Sequence, residues 1–250
     1  MKEYVHLFLK IAATLIECGA EISRVEESIV RMCTAYGAVT SNAYATTSHI
    51  TVTVEMPDGA LYTETKRPGQ ISNNFDLLDR TNDLVRRISK SAPELEEIRE
   101  AMGKLHGKRY PWYVSALAGG VISAAFCLFF GSRSAMECFL SFSIGALLGC
   151  VDIFLSHAEA NRLLKSAVLS FLASFLAFSA TRVGIIGTPD YIIIGYIMNL
   201  IPGLGFTGAL RDLFVGDLFT GMVRILGALL LAAAIAVGFI VTMIIFGGVV

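Results

Sequence analysis

The chain has 250 residues, 54% of them apolar and 16% charged, with 20 Lys and Arg against 21 Asp and Glu. A net charge of −1 leaves no electrostatic footprint for nucleic acid or for an acidic partner. The five cysteines show no CxxC or other metal-ligand spacing; they read as reduced, small apolar residues, and neither a metal nor a cofactor is expected.

The charges are unevenly spread. Of the 41 Lys, Arg, Asp and Glu residues, 29 fall within residues 1–110 and 12 within 111–250. This predicts a water-soluble domain over 1–110 and a membrane domain over 111–250. The first apolar stretch, 5–16, is interrupted by His6 and Lys10, with no small-residue cleavage site after it. No signal peptide is therefore read, and the soluble domain is expected in the cytoplasm.

In chain order, Val5, Phe8, Leu9, Ala12, Leu15 and Ile16 recur at helical spacing and predict an amphipathic helix over 3–17. Gly19 ends it. A second helix follows with Ile22, Val25, Ile29, Met32 and Cys33 on an apolar stripe, stopped by Gly37. Arg24, Glu21 and Glu27 stand at helical spacings and read as a solvated ion-pair face, with Glu26 and Arg31 also off the stripe. Residues 42–55 are rich in Thr, Val, Ile and Tyr, and Ile50, Val52 and Val54 alternate with Thr51, Thr53 and Glu55. That is strand periodicity, and with the turn at Pro57-Asp58-Gly59 and a returning strand over 61–66 it predicts a β-hairpin or small antiparallel sheet. Helix resumes over 74–90, with Phe75, Leu78, Leu84, Val85 and Ile88 inward, and Ser91 is read as capping a further helix from Pro93. No GxSxG, HExxH or P-loop pattern occurs, so no hydrolase or ATPase motif is present.

Five stretches approach the ~20 apolar residues that a membrane span needs. They are 112–130, 135–155, 164–181, 191–210 and 220–246. The first opens with Tyr110, Trp112 and Tyr113, an interfacial aromatic anchor. The second carries Gly145 and Gly149 in a GxxxG spacing that permits close helix packing. Lys104, Lys108 and Arg109 precede the first span, and Arg162 and Lys165 lie between the second and third. The positive-inside rule then places the N-terminal domain in the cytoplasm and the C-terminus outside. The predicted fold class is an α-helical integral membrane protein with five transmembrane helices and an N-terminal cytoplasmic α+β domain.

The segment 199–224, NLIPGLGFTGALRDLFVGDLFTGMVR, interrupts this greasy region. Pro202 and Gly203 break the fourth span, and a broken helix beside ionisable groups is the sequence pointer to a transport site. An Arg or Asp at a span's centre costs about 2.5–3.5 kcal/mol on insertion scales, so such residues pair, meet water or serve a function. The candidates are Asn199, Arg211, Asp212, Asp217 and Arg224, with Asp152 near the end of the second span, shortly before His157 and Glu159. Asp217, Gly221 and Arg224 share one face if their segment is helical.

Residues 19–37, the later TSHITVTV of 47–54, and 199–224 together resemble the threonine/serine exporter family. Gly19 and Arg24-Val25-Glu26, beside Glu21, with Tyr36-Gly37 resemble its N-terminal signature; Pro202-Gly203, Arg211-Asp212, Asp217, Gly221 and Arg224 resemble its second. The resemblance implies secondary export of threonine and serine, or of a dicarboxylate such as succinate in some members. It also implies about ten spans in two groups of five. This chain carries one group and so is similar to the split form, whose partner is a separate five-span subunit. Small-molecule substrate, lipid bilayer, that subunit and a higher oligomer are the expected partners. The competing reading is a membrane-tethered hydrolase or sensor whose soluble domain carries the activity.

Overall fold

The computed structural model describes residues 1–108, 110–157 and 161–247; Arg109 and Glu159 lie outside the described residues. The elements are α1 (Lys2–Glu17), α2 (Ile22–Ala35), β1 (Thr40–Ala45), β2 (Ile50–Glu55), β3 (Leu61–Lys66), α3 (Phe75–Ser91), α4 (Leu95–Gly103), α5 (Trp112–Phe129), α6 (Ala135–His157), α7 (Arg162–Arg182), α8 (Asp190–Leu200), α9 (Gly203–Val215) and α10 (Leu218–Ile245). They form two compact units, one of residues 1–109 with 211–221, the other of 110–210 with 222–250.

The first unit is built around α1. Its buried set, including Leu7, Ile11 and Ala13, is wider than one stripe, because a helix surrounded by other elements has no solvent face to keep polar. Ile22, Val25, Ile29 and Met32 of α2, Ile50, Val52 and Val54 of β2, Leu84, Val85 and Ile88 of α3, and Ile98 of α4 pack into the same core. Gly19 and Gly37 do what their positions predict. Gly19 has φ +91° and Gly37 φ +82°. Ala20 N–H donates to the Leu15 carbonyl and Ala38 N–H to that of Cys33, closing Schellman ends on α1 and α2.

The sheet has three antiparallel strands in the order β1-β2-β3. The stretch 42–55 is thus two strands and not one: Thr46 N–H donates to the His49 carbonyl and reverses the chain. Thr-Thr-Ser-His has no Gly or Pro to mark that turn. Ala43 pairs with Val52, and Val52 with Glu64. Two helix expectations need correction. Ser91 belongs to α3, where its hydroxyl donates to the Arg87 carbonyl, and α4 begins after Glu94. Phe75 is 56% exposed, since it sits in the first turn of α3 before the core is reached.

The second unit holds its helices at backbone distance. A Cβ on Gly120 would lie 2.8 Å from the Phe142 carbonyl oxygen, one on Gly145 2.5 Å from Ser123 Oγ, and one on Gly149 2.9 Å from the Ala116 Cα. The α5–α6 contact therefore requires glycines, as the GxxxG spacing predicts. Gly195 brings α8 against α5 in the same way, a Cβ there meeting the Ser123 carbonyl oxygen at 2.6 Å. Between α7 and α10, Gly238 abuts the Ala167 carbonyl, Ser170 Oγ donates to the Ile235 carbonyl (2.8 Å) and Thr242 Oγ1 to that of Phe171 (3.2 Å).

Among the described residues, helices α5, α6, α7 and α10 are long and apolar enough to cross a membrane; α8 and α9 pass that test only as a pair bent by 53°, giving four spans or five. Gly195→Val is expected to push α8 off α5 at a cost of about 1–3 kcal/mol. Its melting temperature in detergent should fall by several degrees, while Gly227→Val, with open space around it, should melt with the parent. Equal melting of the two variants would show that the α5–α8 approach is not tight.

Candidate functional site

Proline has no N–H and forces the residue before it out of the helical region. Ile201 accordingly adopts φ −68°, ψ 125° and ends α8. The Pro202 carbonyl then accepts from Phe206 N–H at 2.9 Å, and α9 starts afresh in a new direction. At its far end Gly216, with φ +100°, lets Asp217 N–H reach the Asp212 carbonyl at 2.9 Å, again a Schellman end. Asp217 then serves as cap for α10: its Oδ1 accepts from Thr220 N–H at 3.2 Å, and its carbonyl from Gly221 N–H at 3.0 Å. Asp217 thus stands at the entry of α10, with Gly221 and Arg224 inside the helix.

The other candidates take different places. Asn199, in the last turn of α8, donates to Ser123 Oγ at 2.7 Å and to the Gly119 carbonyl at 3.3 Å. Its amide is spent on holding α8 to α5. Arg224 is part-buried, and a Cβ on Gly208 would come within 3.8 Å of its Nη1, so that glycine leaves room beside the guanidinium. Asp212 is buried at 4% exposure. Asp152 pairs with Lys165 at 2.9 Å, and Lys165 also donates to Ser156 Oγ at 3.0 Å. Lys165 enters the sequence reading only as an orientation charge, and Ser123 not at all. The signal for Ser123 was there, since Gly119 and Ser123 repeat the small-xxx-small spacing of Gly145 and Gly149.

The soluble-domain motif meets the 211–221 segment inside the first unit. Arg211 Nη2 lies 2.8 Å from Glu21 Oε2, and Arg24 Nε 3.4 Å from the same oxygen. Ser23 Oγ donates to Glu21 Oε1 at 3.2 Å. The Glu21 side chain is 13% exposed. The solvated ion-pair face expected of Glu21 and Arg24 is therefore half wrong: the cation is in water and the anion is not. Glu26 accepts from Ala45 N–H at 2.7 Å, at the end of β1. Burial pushes the Glu26 carboxyl above its usual range; the Ala45 N–H opposes this, and the charge of Asp217 adds to it. Among the described residues no cluster of three or more His, Cys, Asp or Glu is placed to hold a metal ion. A groove of about 1080 Å³ between α1 and β3, lined by Lys2, His6, Lys10, Tyr62, Glu64 and Arg99 among others, contains none of these candidates.

A protein family described as "Putative threonine/serine exporter" matches residues 6–246. Among curated proteins, the chain is 23% identical over 244 residues to the "Probable succinate transporter subunit YjjP" of Klebsiella aerogenes, covering 96% of this chain and 93% of that protein. It is 24% identical over 253 residues to the protein of the same name in Escherichia coli, covering 96% and 94%. It is 23% identical over 176 residues to the "Probable threonine/serine exporter" of Mycobacterium tuberculosis, covering 69% of this chain but 32% of that protein. No solved structure matches.

The raised Glu26 carboxyl fixes the sign of a pH effect. A folded-state value above the unfolded one favours folding at low pH, and that contribution is lost as pH rises through the folded value. Glu26→Gln keeps an acceptor for Ala45 N–H and removes the buried charge. It is expected to melt higher than the parent at neutral pH, with the gain shrinking as pH falls through the raised folded value and gone below the ordinary value of 4.5. A gain that grew on acidification would contradict the raised carboxyl.

Proposed function

Since this chain belongs to the threonine/serine exporter family, we propose that it is one subunit of a secondary exporter of a small carboxylate, acting with a separate five-span subunit. The observation that carries the reading is the 53° break between α8 and α9, followed by Arg211 and Asp212 toward the end of α9, in a multi-pass member of a transporter family. A helix restarted beside a break points N–H groups and the positive end of its dipole outward, which favours an anionic group. Succinate is the first substrate to try, because the relatives matched over nearly their whole length carry that name; threonine and serine follow from the family. In this reading α8 and α9 together are the fourth of five spans, and residues 1–110 lie on the cytoplasmic side, with the C-terminus opposite.

The roles divide by chemistry. A guanidinium engages a carboxylate bidentately, so Arg224 and Arg211 are the groups proposed for the substrate carboxylate. Asp212 and Asp217 are proposed for an amino group or a coupling proton, Asp217 in addition to its capping bond. Asn199 and Asp152 keep helices together and are assigned no contact with substrate. The need for a partner is supported by the word "subunit" in the relatives' names and by the small fraction, 22–33%, of the α5, α6, α7 and α10 spans that is buried within the chain.

Vesicles holding the chain with a five-span subunit of the same family are expected to release succinate, threonine or serine, and vesicles holding the chain alone to release none. Release by the chain alone would remove the need for a partner; release of nothing by either would sink the export reading. Arg224→Gln and Asp217→Asn should each lower efflux at least tenfold with the amount of assembled protein unchanged. Asn retains the capping acceptor, so full efflux by Asp217→Asn would leave that residue a cap and nothing more.

A further inference from the structure

Glu21 stands at the N-cap of α2, yet its side chain makes no capping bond. Ser, Thr, Asp or Asn would serve a cap better. The carboxylate turns instead toward two guanidinium groups, Arg211 at 2.8 Å and Arg24 at 3.4 Å, while Ser23 Oγ donates to its other oxygen. The three side chains differ in their access to water. Glu21 is 13% exposed, Arg211 59% and Arg24 74%.

A mostly buried carboxylate stripped of its cations is strongly destabilising, whereas an ion pair with an exposed partner is weak and easily exchanged. Glu21 has two such partners, so letting go of one does not strand its charge. Arg211 for its part reaches solvent and presents a fork that accepts any carboxylate. Asp217, on the same segment as Arg211, and Glu26, one turn along from Glu21, carry like charges that work against the contact. The Arg211–Glu21 attraction and the Glu26–Asp217 repulsion act against each other across this contact, which is the balance a reversible contact needs.

We propose that Glu21 is a positioning residue for transport: it occupies Arg211 until the carboxylate of the transported molecule takes its place, and Arg24 then compensates Glu21. This rests on the export reading above and assigns residues 1–109 a part in each cycle, through a carboxylate that competes with the substrate for one guanidinium. Glu21→Gln removes the competitor, and Arg24→Gln removes the cation that lets Glu21 release Arg211.

The test is initial efflux from vesicles holding the full chain and its partner subunit, over a range of succinate and of threonine concentrations. Glu21→Gln is expected to lower KM about two- to five-fold, the range set by an exposed pair, and Arg24→Gln to raise it by a similar factor. Shifts in opposite directions are what a purely structural pair would not give. An unmoved or raised KM in Glu21→Gln, or an unmoved KM in Arg24→Gln, overturns the exchange while leaving the export reading standing. Should Glu21→Gln fail to assemble, the Arg24→Gln arm decides, because that side chain lies largely in water. Should the parent release none of the substrates, the export reading fails, and calorimetric binding of succinate to the detergent-purified chain decides the exchange. Tighter binding by Glu21→Gln then supports it, and equal binding or none overturns it.

Discussion

Hydrocarbon gives apolar helices no hydrophobic reason to associate, so helices in lipid are held by close backbone approach and by polar groups satisfied across the gap. In the second unit that constraint converges on Ser123. Its Oγ faces Gly145, its carbonyl faces Gly195, and the same Oγ accepts from Asn199. One small polar residue on α5 therefore meets α6 and α8 at once, and any larger side chain at Gly145 or Gly195 would part them. The α8 end fixed in this way is where Pro202 breaks the span. The break is at a defined place because Asn199, one turn before it, is tied down.

Residues that look equivalent in the sequence separate once their partners are known. Asn199 and Asp152 have structural work, the first across α5 and α8, the second with Lys165 across α6 and α7. Asp217 caps α10. Arg211 is drawn into the first unit by Glu21, and Gly208 leaves room beside Arg224. A charge in a greasy region signals only that its placement is costly. Whether the cost is met by packing or by chemistry depends on contacts that a linear pattern does not display.

Local signals were the legible ones. Gly19 and Gly37 stop helices through a positive φ that the sequence position already implies, and Ile50, Val52 and Val54 alternate into the core. The turn at 46–49 was hidden because Thr, Ser and His favour strand or turn about equally and no glycine marks the reversal. Phe75 was misjudged because apolar spacing says which face a residue shares and not where along the helix the core begins. The pairing of Glu21 with Arg211 was beyond reach, since nothing between two such distant positions records that their segments fold into one unit. Both stand in stretches, 19–37 and 199–224, that resemble signatures of one family, and the fold brings the two residues into one unit.

The membrane half is thinly packed for a finished bundle. Helix α10 touches α7 through Gly238, Ser170 and Thr242, yet Leu226, Leu229, Leu230, Val237 and Ile244 are exposed. Lipid can cover leucines without specificity. Gly227 is another matter, since a glycine inside a long apolar helix lowers helix propensity by about 1 kcal/mol relative to alanine, and here an added Cβ would meet nothing within 4 Å among the described residues. Small residues are retained in such helices where another backbone comes close. The longer exporter from Mycobacterium tuberculosis is matched over 32% of its length, the succinate transporter subunits over 93% and 94%. On the export reading proposed above, a helix of a second chain packed closely on the Gly227 side of α10 would remove the cost of that glycine.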